Sequence, residues 1–228
     1  MRFEIERETE LPHSFRVESI RGKFDIRDDV VRERFEGEID LPENWNVGVI
    51  VGNSGTGKST IAQEVFGKRD QPIYGDIPVI MDIGRAFNID QICDVFNKVG
   101  FSSPPSWLKP YKVLSNGEKM RVDLANAILS DTEVIVFDEF TSVVDRDVAK
   151  VCSFAVAKYI RAHNKKFVAV SCHFDILDWL EPDWVFDTNE MRFLTQRNAG
   201  ADTKDPQSNS TYERQALTLG ASLGNITI

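Results

Sequence analysis

Eight consecutive residues constrain this chain more than any others: Gly52-Asn-Ser-Gly-Thr-Gly57-Lys58-Ser59. They follow Val47-Gly-Val-Ile-Val51, an apolar run suited to a buried strand, and they open a helical pattern expected from about Lys58 to Phe66 and stopped at Gly67. Glycines at this spacing let successive backbone N–H groups turn toward one anion, and a helix N-terminus adds partial positive charge. Lys58 then reaches β and γ phosphates, and the Ser59 hydroxyl suits Mg²⁺. The nucleotide-contacting set read from this turn is Gly52, Asn53, Ser54, Gly55, Thr56, Gly57, Lys58, Ser59 and Thr60.

Beyond the turn, strand and helix patterns alternate. Pro78 to Met81 reads as a short strand, and Ile89 to Val99 as an amphipathic helix with Asn88 or Asp90 near its cap and Gly100 past its end. Phe101 to Val113 carries Pro104, Pro105 and Pro110, so it cannot be regular throughout. A helical pattern runs from Ser115-Asn-Gly117 to about Leu129. A buried strand is expected at Glu133 to Phe137, a long helix at Asp147 to His163, and another buried strand at Phe167 to Cys172. Phe174 to Leu180 reads as helix, with Trp184 to Asp187 and Met191 to Gln196 as a small hairpin. The expected class is therefore α/β, a mostly parallel sheet flanked by helices.

Residues 1 to 45 differ. They are acidic, with Phe15 to Ile20, Gly22 to Ile26 and Phe35 to Leu41 reading as short antiparallel strands interrupted by the charged stretch Arg27 to Arg34. From about Arg197 the composition turns small and polar, and a flexible tail is expected over 198–228. The domain so delimited is 1–197, with an antiparallel β region at 1–45 and a helical subdomain at 83–130.

A net charge of −9 argues against a protein whose main task is coating phosphate backbones. Three widely spaced cysteines, Cys93, Cys152 and Cys172, read as free thiols in a reducing cytoplasm. The charged N-terminus lacks the apolar core of a signal peptide, and no apolar run approaches the roughly 18 residues of a membrane span.

A second cluster completes the chemistry. Val134-Ile-Val-Phe137 ends in Asp138 and Glu139, and carboxylates leaving a strand beside a phosphate turn suit a metal ligand, Asp138, and a general base, Glu139. Leu114-Ser115-Asn116-Gly117-Glu118 then resembles the ABC-ATPase signature Leu-Ser-Gly-Gly-Gln, 23 residues before Asp138. Phe140-Thr-Ser-Val-Val-Asp145 resembles the family's Pro-Thr-Ser-Ala-Leu-Asp segment, and Val170-Ser-Cys-His173 ends a strand with a histidine as the family's switch does. This resemblance spans roughly residues 15 to 195. It implies a P-loop NTPase fold of ABC type and ATP and Mg²⁺ as cofactors. It also implies a head-to-tail homodimer, with each ATP held between Lys58 of one copy and Ser115, Asn116, Gly117 and Glu118 of the other. Asp145 would lie at that dimer interface, and His173 would meet the γ-phosphate. Catalysis would rest on Glu139, His173 and Lys58.

The pattern departs from the family in two places. No glutamine follows the strand after the phosphate helix, and Asp82 is the nearest polar residue in place. For the aromatic that stacks on adenine, Phe24 is the first candidate and Phe35 its competitor. Only 33 residues separate Met81 from Leu114, short for the helical subdomain with which transporter ATPases grip a membrane partner. The motifs of Gly100 to Glu118, Asp138 to Arg146 and Val168 to His173 resemble a soluble ABC-type group of phages and prokaryotes, often fused to a predicted GNAT-type acetyltransferase. No acetyltransferase domain is expected in the roughly 30 residues after the hairpin, so such a partner would be a separate chain. The expectation is a soluble, cytoplasmic ATPase (host cytoplasm if phage-encoded). The alternatives are a transporter subunit or an SMC-like DNA-associated ATPase, and binding to nucleic acid stays open.

Overall fold

The computed structural model describes residues 1–68 and 72–195. Met1–Phe193 form one compact unit. The expected tail at 198–228, and the close of the expected domain after Thr195, lie outside the described residues.

Among the described residues, five strands make the central sheet: β3 (Val47–Val51), β4 (Val134–Phe137), β5 (Lys166–Ser171), β6 (Trp184–Asp187) and β7 (Arg192–Thr195), in the order β4-β5-β3-β6-β7. β3 is buried along its whole length because β5 and β6 pair with it in parallel on either side. Burial on both faces is why its sequence is continuously apolar. Alternation still sorts its side chains: Val47, Val49 and Val51 enter one core with Ile135, Phe167 and Ala169. Ile50 enters the other with Val168, Val170, Trp184 and Phe186.

The first core is covered by α4 (Ile89–Lys98), α6 (Asn116–Ile128), α7 (Arg146–Ala162) and α8 (Ile176–Leu180). Ile61 and Ala62 of α2 (Lys58–Phe66) cover the second, together with Phe3, Ile39 and Trp45. The α/β class with its mostly parallel sheet is thus observed. All three cysteines are free, and burial pushes the Cys152 thiol up to about 12.

The N-terminal region corrects several expectations. Phe15 to Phe24 is not two strands but one helix, α1 (Phe15–Phe24), capped by Ser14, whose side chain accepts a bond from the Val17 N–H at 3.3 Å. None of its residues is buried, so no core imposes a 3.6-residue apolar stripe, and periodicity had nothing to report. The strands lie outside it: β1 (Arg2–Glu10) pairs antiparallel with β2 (Val30–Glu38), Arg2 opposite Glu38 and Glu10 opposite Val30. Val30 to Arg34 of the charged stretch therefore begin β2, with Arg32 bonded to Glu8 at 2.7 Å and Arg34 to Glu4 at 2.8 Å. Cross-strand charge pairs line the outer face of this ribbon, while Phe3, Ile5 and Phe35 pack on the second core.

Pro78 to Met81 is likewise not a sheet strand. A single turn, α3 (Val79–Asp82), forms there, because Pro78 bridges Pro110 and the Val79 N–H donates to the Lys109 carbonyl at 3.0 Å. The proline-rich connector contributes α5 (Pro104–Trp107) and a 3-10 turn at Tyr111–Val113.

Candidate functional site

Parallel pairing sets every loop of the site at one edge. Val51 is level with Ser171 and Asp187, and Phe137 with Ala169, so the turns after β3, β4, β5 and β6 emerge together at the carboxyl ends of the strands. Open α/β sheets bind ligands at that edge.

The phosphate turn is held from both sides. Thr188, just past β6, donates its backbone N–H to the Val51 carbonyl at 2.8 Å, and its Oγ1 lies within 2.5 Å of Thr56 Oγ1. A Cβ on Gly52 would come within 2.1 Å of Thr188 Oγ1, so glycine is required there by close approach. The Asn53 N–H donates to Asn189 Oδ1 at 2.9 Å. Gly57 has φ +81°, and the ring of Phe35 from β2 stands where a Cβ would be. Lys58 is buried, with Nζ donating to the Asn53 carbonyl at 2.6 Å. Thr188 and Asn189 escaped the sequence reading, since they lie more than 130 residues from their partners and belong to no motif.

At the end of β4, Asp138 and Glu139 are both exposed. Glu139 adopts φ +55°, with its N–H donating to Asp138 Oδ1 at 2.9 Å. Ser142 donates through its backbone N–H and its hydroxyl to the Glu139 carbonyl, at 3.1 and 2.9 Å. The turn is pinned to β5, because the Phe140 N–H donates to the Val170 carbonyl at 2.9 Å and Ser171 Oγ donates to the Phe140 carbonyl at 3.0 Å. Ser171 Oγ in turn accepts the His173 N–H at 3.1 Å. Burial first, then the nearby Arg146 guanidinium, holds the His173 imidazole below its ordinary value, while Asp175 and Glu139 act the other way.

Ser59 and Asp138 line one cleft of about 450 Å³, with Gln63, Tyr74, Tyr111 and Asp123 among its polar walls. A hydroxyl and a carboxylate facing one space form an oxygen donor pair suited to a hard cation such as Mg²⁺, which is held by one or two carboxylates plus phosphates. Asp82 is elsewhere: its side chain is 4% exposed, it accepts the Gly75 N–H at 2.6 Å, and it lines a separate cleft with Asn126 and Ser130. The polar groups facing Ser59 and Asp138 are instead Tyr74 and Tyr111, stacked at 3.9 Å, whose hydroxyls donate to Asp123 at 2.7 and 2.8 Å. No spacing in the sequence joins those three. Phe24 closes α1 and is 64% exposed, while Phe35 is the aromatic against the phosphate turn.

Ser115 caps α6. Its hydroxyl accepts the Glu118 N–H at 3.3 Å and donates to Glu118 Oε2 at 3.0 Å, and the Ser115 N–H donates to the same oxygen at 2.9 Å. The Ser115 backbone bond first, then a bond from the Ser106 side chain, holds the Glu118 carboxyl below its usual range. Asn116 and Gly117 form the first turn, and a Cβ on Gly117 would stand 3.3 Å from Val144. The structure thus sets the Ser115 cap beside the Asp145 segment. Asp145 itself caps α7, accepting the Val148 N–H at 2.9 Å.

The fold, with its antiparallel N-terminal pair, is that of ATP-binding cassettes of known structure. The dimeric, post-hydrolysis ATP-binding cassette MJ0796 bound to ADP and Pi superposes with a TM-score of 0.58 at 13% identity, covering 72% of this chain and 92% of that one. A bacterial Atm1-family ABC exporter with ATP bound gives 0.57 at 15% identity, over 75% of this chain and 37% of that one. No protein-family profile matches the sequence. Among curated relatives, the mating factor M secretion protein mam1 of Schizosaccharomyces pombe is 26% identical over 66% of this chain. The probable ATP-dependent transporter ycf16 of Trieres chinensis is 31% identical over 31% of it. The lipoprotein-releasing system ATP-binding protein LolD of Protochlamydia amoebophila is 24% identical over 54% of this chain and 72% of its own length. The chain spans only 14% of mam1 and 28% of ycf16.

Proposed function

We propose that this chain binds and hydrolyses Mg²⁺-ATP as one half of a head-to-tail pair. The observation that carries the reading is the shared cleft of Ser59 and Asp138, with Glu139 and His173 on the adjoining turns. Amides of Gly52 to Thr60 and the Lys58 ammonium cradle the phosphates. Ser59 and Asp138 would hold Mg²⁺, which supplies charge neutralisation on the β and γ oxygens. Glu139 takes the proton of a water whose oxygen attacks the γ-phosphorus in line, and the bond to the β–γ bridging oxygen breaks to leave ADP and phosphate. His173, held neutral near pH 7 by its surroundings, donates an N–H to the γ-phosphate. The second copy presents Ser115 and the start of α6 to the same phosphate, a C2 arrangement in which both sites are equivalent.

The energy is proposed to act on a separate partner chain in the cytoplasm, an acetyltransferase-like protein being the first to test, as the motif resemblance to the phage and prokaryote group suggests. A transporter-subunit reading is favoured by one observation. Ile77, Met81, Leu108 and Val113 are exposed around the Pro78–Pro110 bridge, an apolar area near the helical layer that a membrane partner could cover. Among the described residues no helix is long and apolar enough to cross a membrane.

Glu139→Gln tests the core of the proposal. Hydrolysis is expected to fall about a hundredfold or more, while ATP binding persists and dimers accumulate, as read by phosphate release and sedimentation. A monomeric, fully active Glu139→Gln protein overturns it. Recovering the trapped dimer from membranes with an integral protein favours the transporter reading over the cytoplasmic one.

A further inference from the structure

Arg146 is given no contact with the nucleotide above, yet its guanidinium joins two of the loops of the site. It is the first residue of α7, directly after Asp145. Its Nε donates to Asp175 Oδ2 at 2.8 Å and its Nη2 donates to the other oxygen, a two-point fork. Asp175 lies two residues past His173 and adjoins α8. The guanidinium also stands 5.0 Å from the ring centre of Trp179 on α8. Its Nη1 is buried without a hydrogen-bond partner, so the group is oriented by the fork and the ring alone.

The side chains of the pair are 38% and 42% exposed, and an ion pair so open to water adds little to stability. A bidentate fork does, however, fix distance and angle together. The His173 loop therefore has two anchors: Ser171 ties it to the Glu139 turn, and Arg146 ties it to the Asp145 segment.

We infer that Arg146 is a positioning residue that carries the setting of the Asp145 segment to the His173 loop, so that a second copy closing on Asp145 seats His173 at the γ-phosphate. The inference rests on the proposed roles of Glu139 and His173. The groups facing His173 are Arg146 from α7, Asp175 from its own loop and Glu139 from the turn after β4. Removing Arg146 deletes a cation, so His173 protonates at higher pH. Removing the Asp175 charge does the reverse.

The test measures ATP hydrolysis against ATP concentration and pH for Arg146→Ala, Asp175→Asn and the double variant. A positioning role predicts that kcat falls about ten- to a hundredfold in each single variant with KM little changed. The double variant should be no worse than the singles, since one interaction is lost in all three. The acid limb of kcat should move up in pH for Arg146→Ala and down for Asp175→Asn, opposite displacements that general loosening of the loop does not produce. Arg146→Lys keeps the charge without the fork, and should lose kcat while its acid limb stays in place. It serves the same purpose if Arg146→Ala fails to fold. Unchanged kcat, multiplicative losses or acid limbs that move together overturn the inference. A wild-type chain that hydrolyses no ATP sinks the underlying reading, whereas a hydrolysing wild type with indifferent Arg146 variants sinks this inference alone.

Discussion

The two helix starts proposed to meet the nucleotide's phosphates are built in opposite ways. The start of α2 is a tertiary construction, with Thr188, Asn189 and Phe35 bracing its turn. The start of α6 is satisfied within four residues, since Ser115 and Glu118 bond one another reciprocally. The α2 turn is therefore braced by groups from β2 and from the turn after β6 of its own chain. A self-contained cap is suited to presentation elsewhere, because nothing in its own fold has to move when a second copy approaches it.

That contrast can be broken first at Lys58. Lys58→Ala should cost about a hundredfold or more in ATP hydrolysis and abolish ATP-dependent pairing, because it removes the buried cation of the braced site. Nucleotide titration and sedimentation check both outcomes. The exported site should respond differently. Ser115→Ala should lower stability by only about 1 kcal/mol, the cost of a lost cap, and leave ATP affinity of the single chain intact while preventing dimers. A Ser115→Ala protein that still dimerises with ATP would place the second anion contact elsewhere.

The smallest effect concerns Glu118. Its pKa is depressed in the folded chain, so its contribution to stability is present above the ordinary glutamate value and lost as pH falls through the folded one. Thermal unfolding followed from neutral pH to about pH 3 should show a shallower acid decline for Glu118→Gln than for the wild type. The same variant removes a negative charge from the helix start proposed to meet a phosphate, so ATP-dependent dimers should tighten.

Much of the site was legible because its parts are local. The turn Gly52 to Ser59, the carboxylates ending β4, the cap at Ser115 and the histidine after β5 each carry a motif or a strand-end position. The helix over Lys58 to Phe66 matched to the residue, since its apolar face and its stop at Gly67 are both written nearby. The N-terminal region resisted for the converse reason. α1 buries nothing and most of the β1–β2 ribbon is exposed and charged, so hydrophobic periodicity was weak where the structure is regular. Asp82 shows a further limit. Its place in the chain pointed toward the metal, but its side chain closes on Gly75 in another cleft.

What the chain determines by itself is therefore the set of local parts: a glycine turn between a buried strand and a helix, paired carboxylates at a strand exit, and apolar runs buried on both faces. Folding alone decided which distant groups attend that chemistry. Thr188 and Asn189 brace the turn, Phe35 covers Gly57, Tyr74 and Tyr111 converge on Asp123, and Arg146 grips Asp175. Those partnerships depend on strand order and register, which arise from the packing of whole faces and leave no mark at any one position.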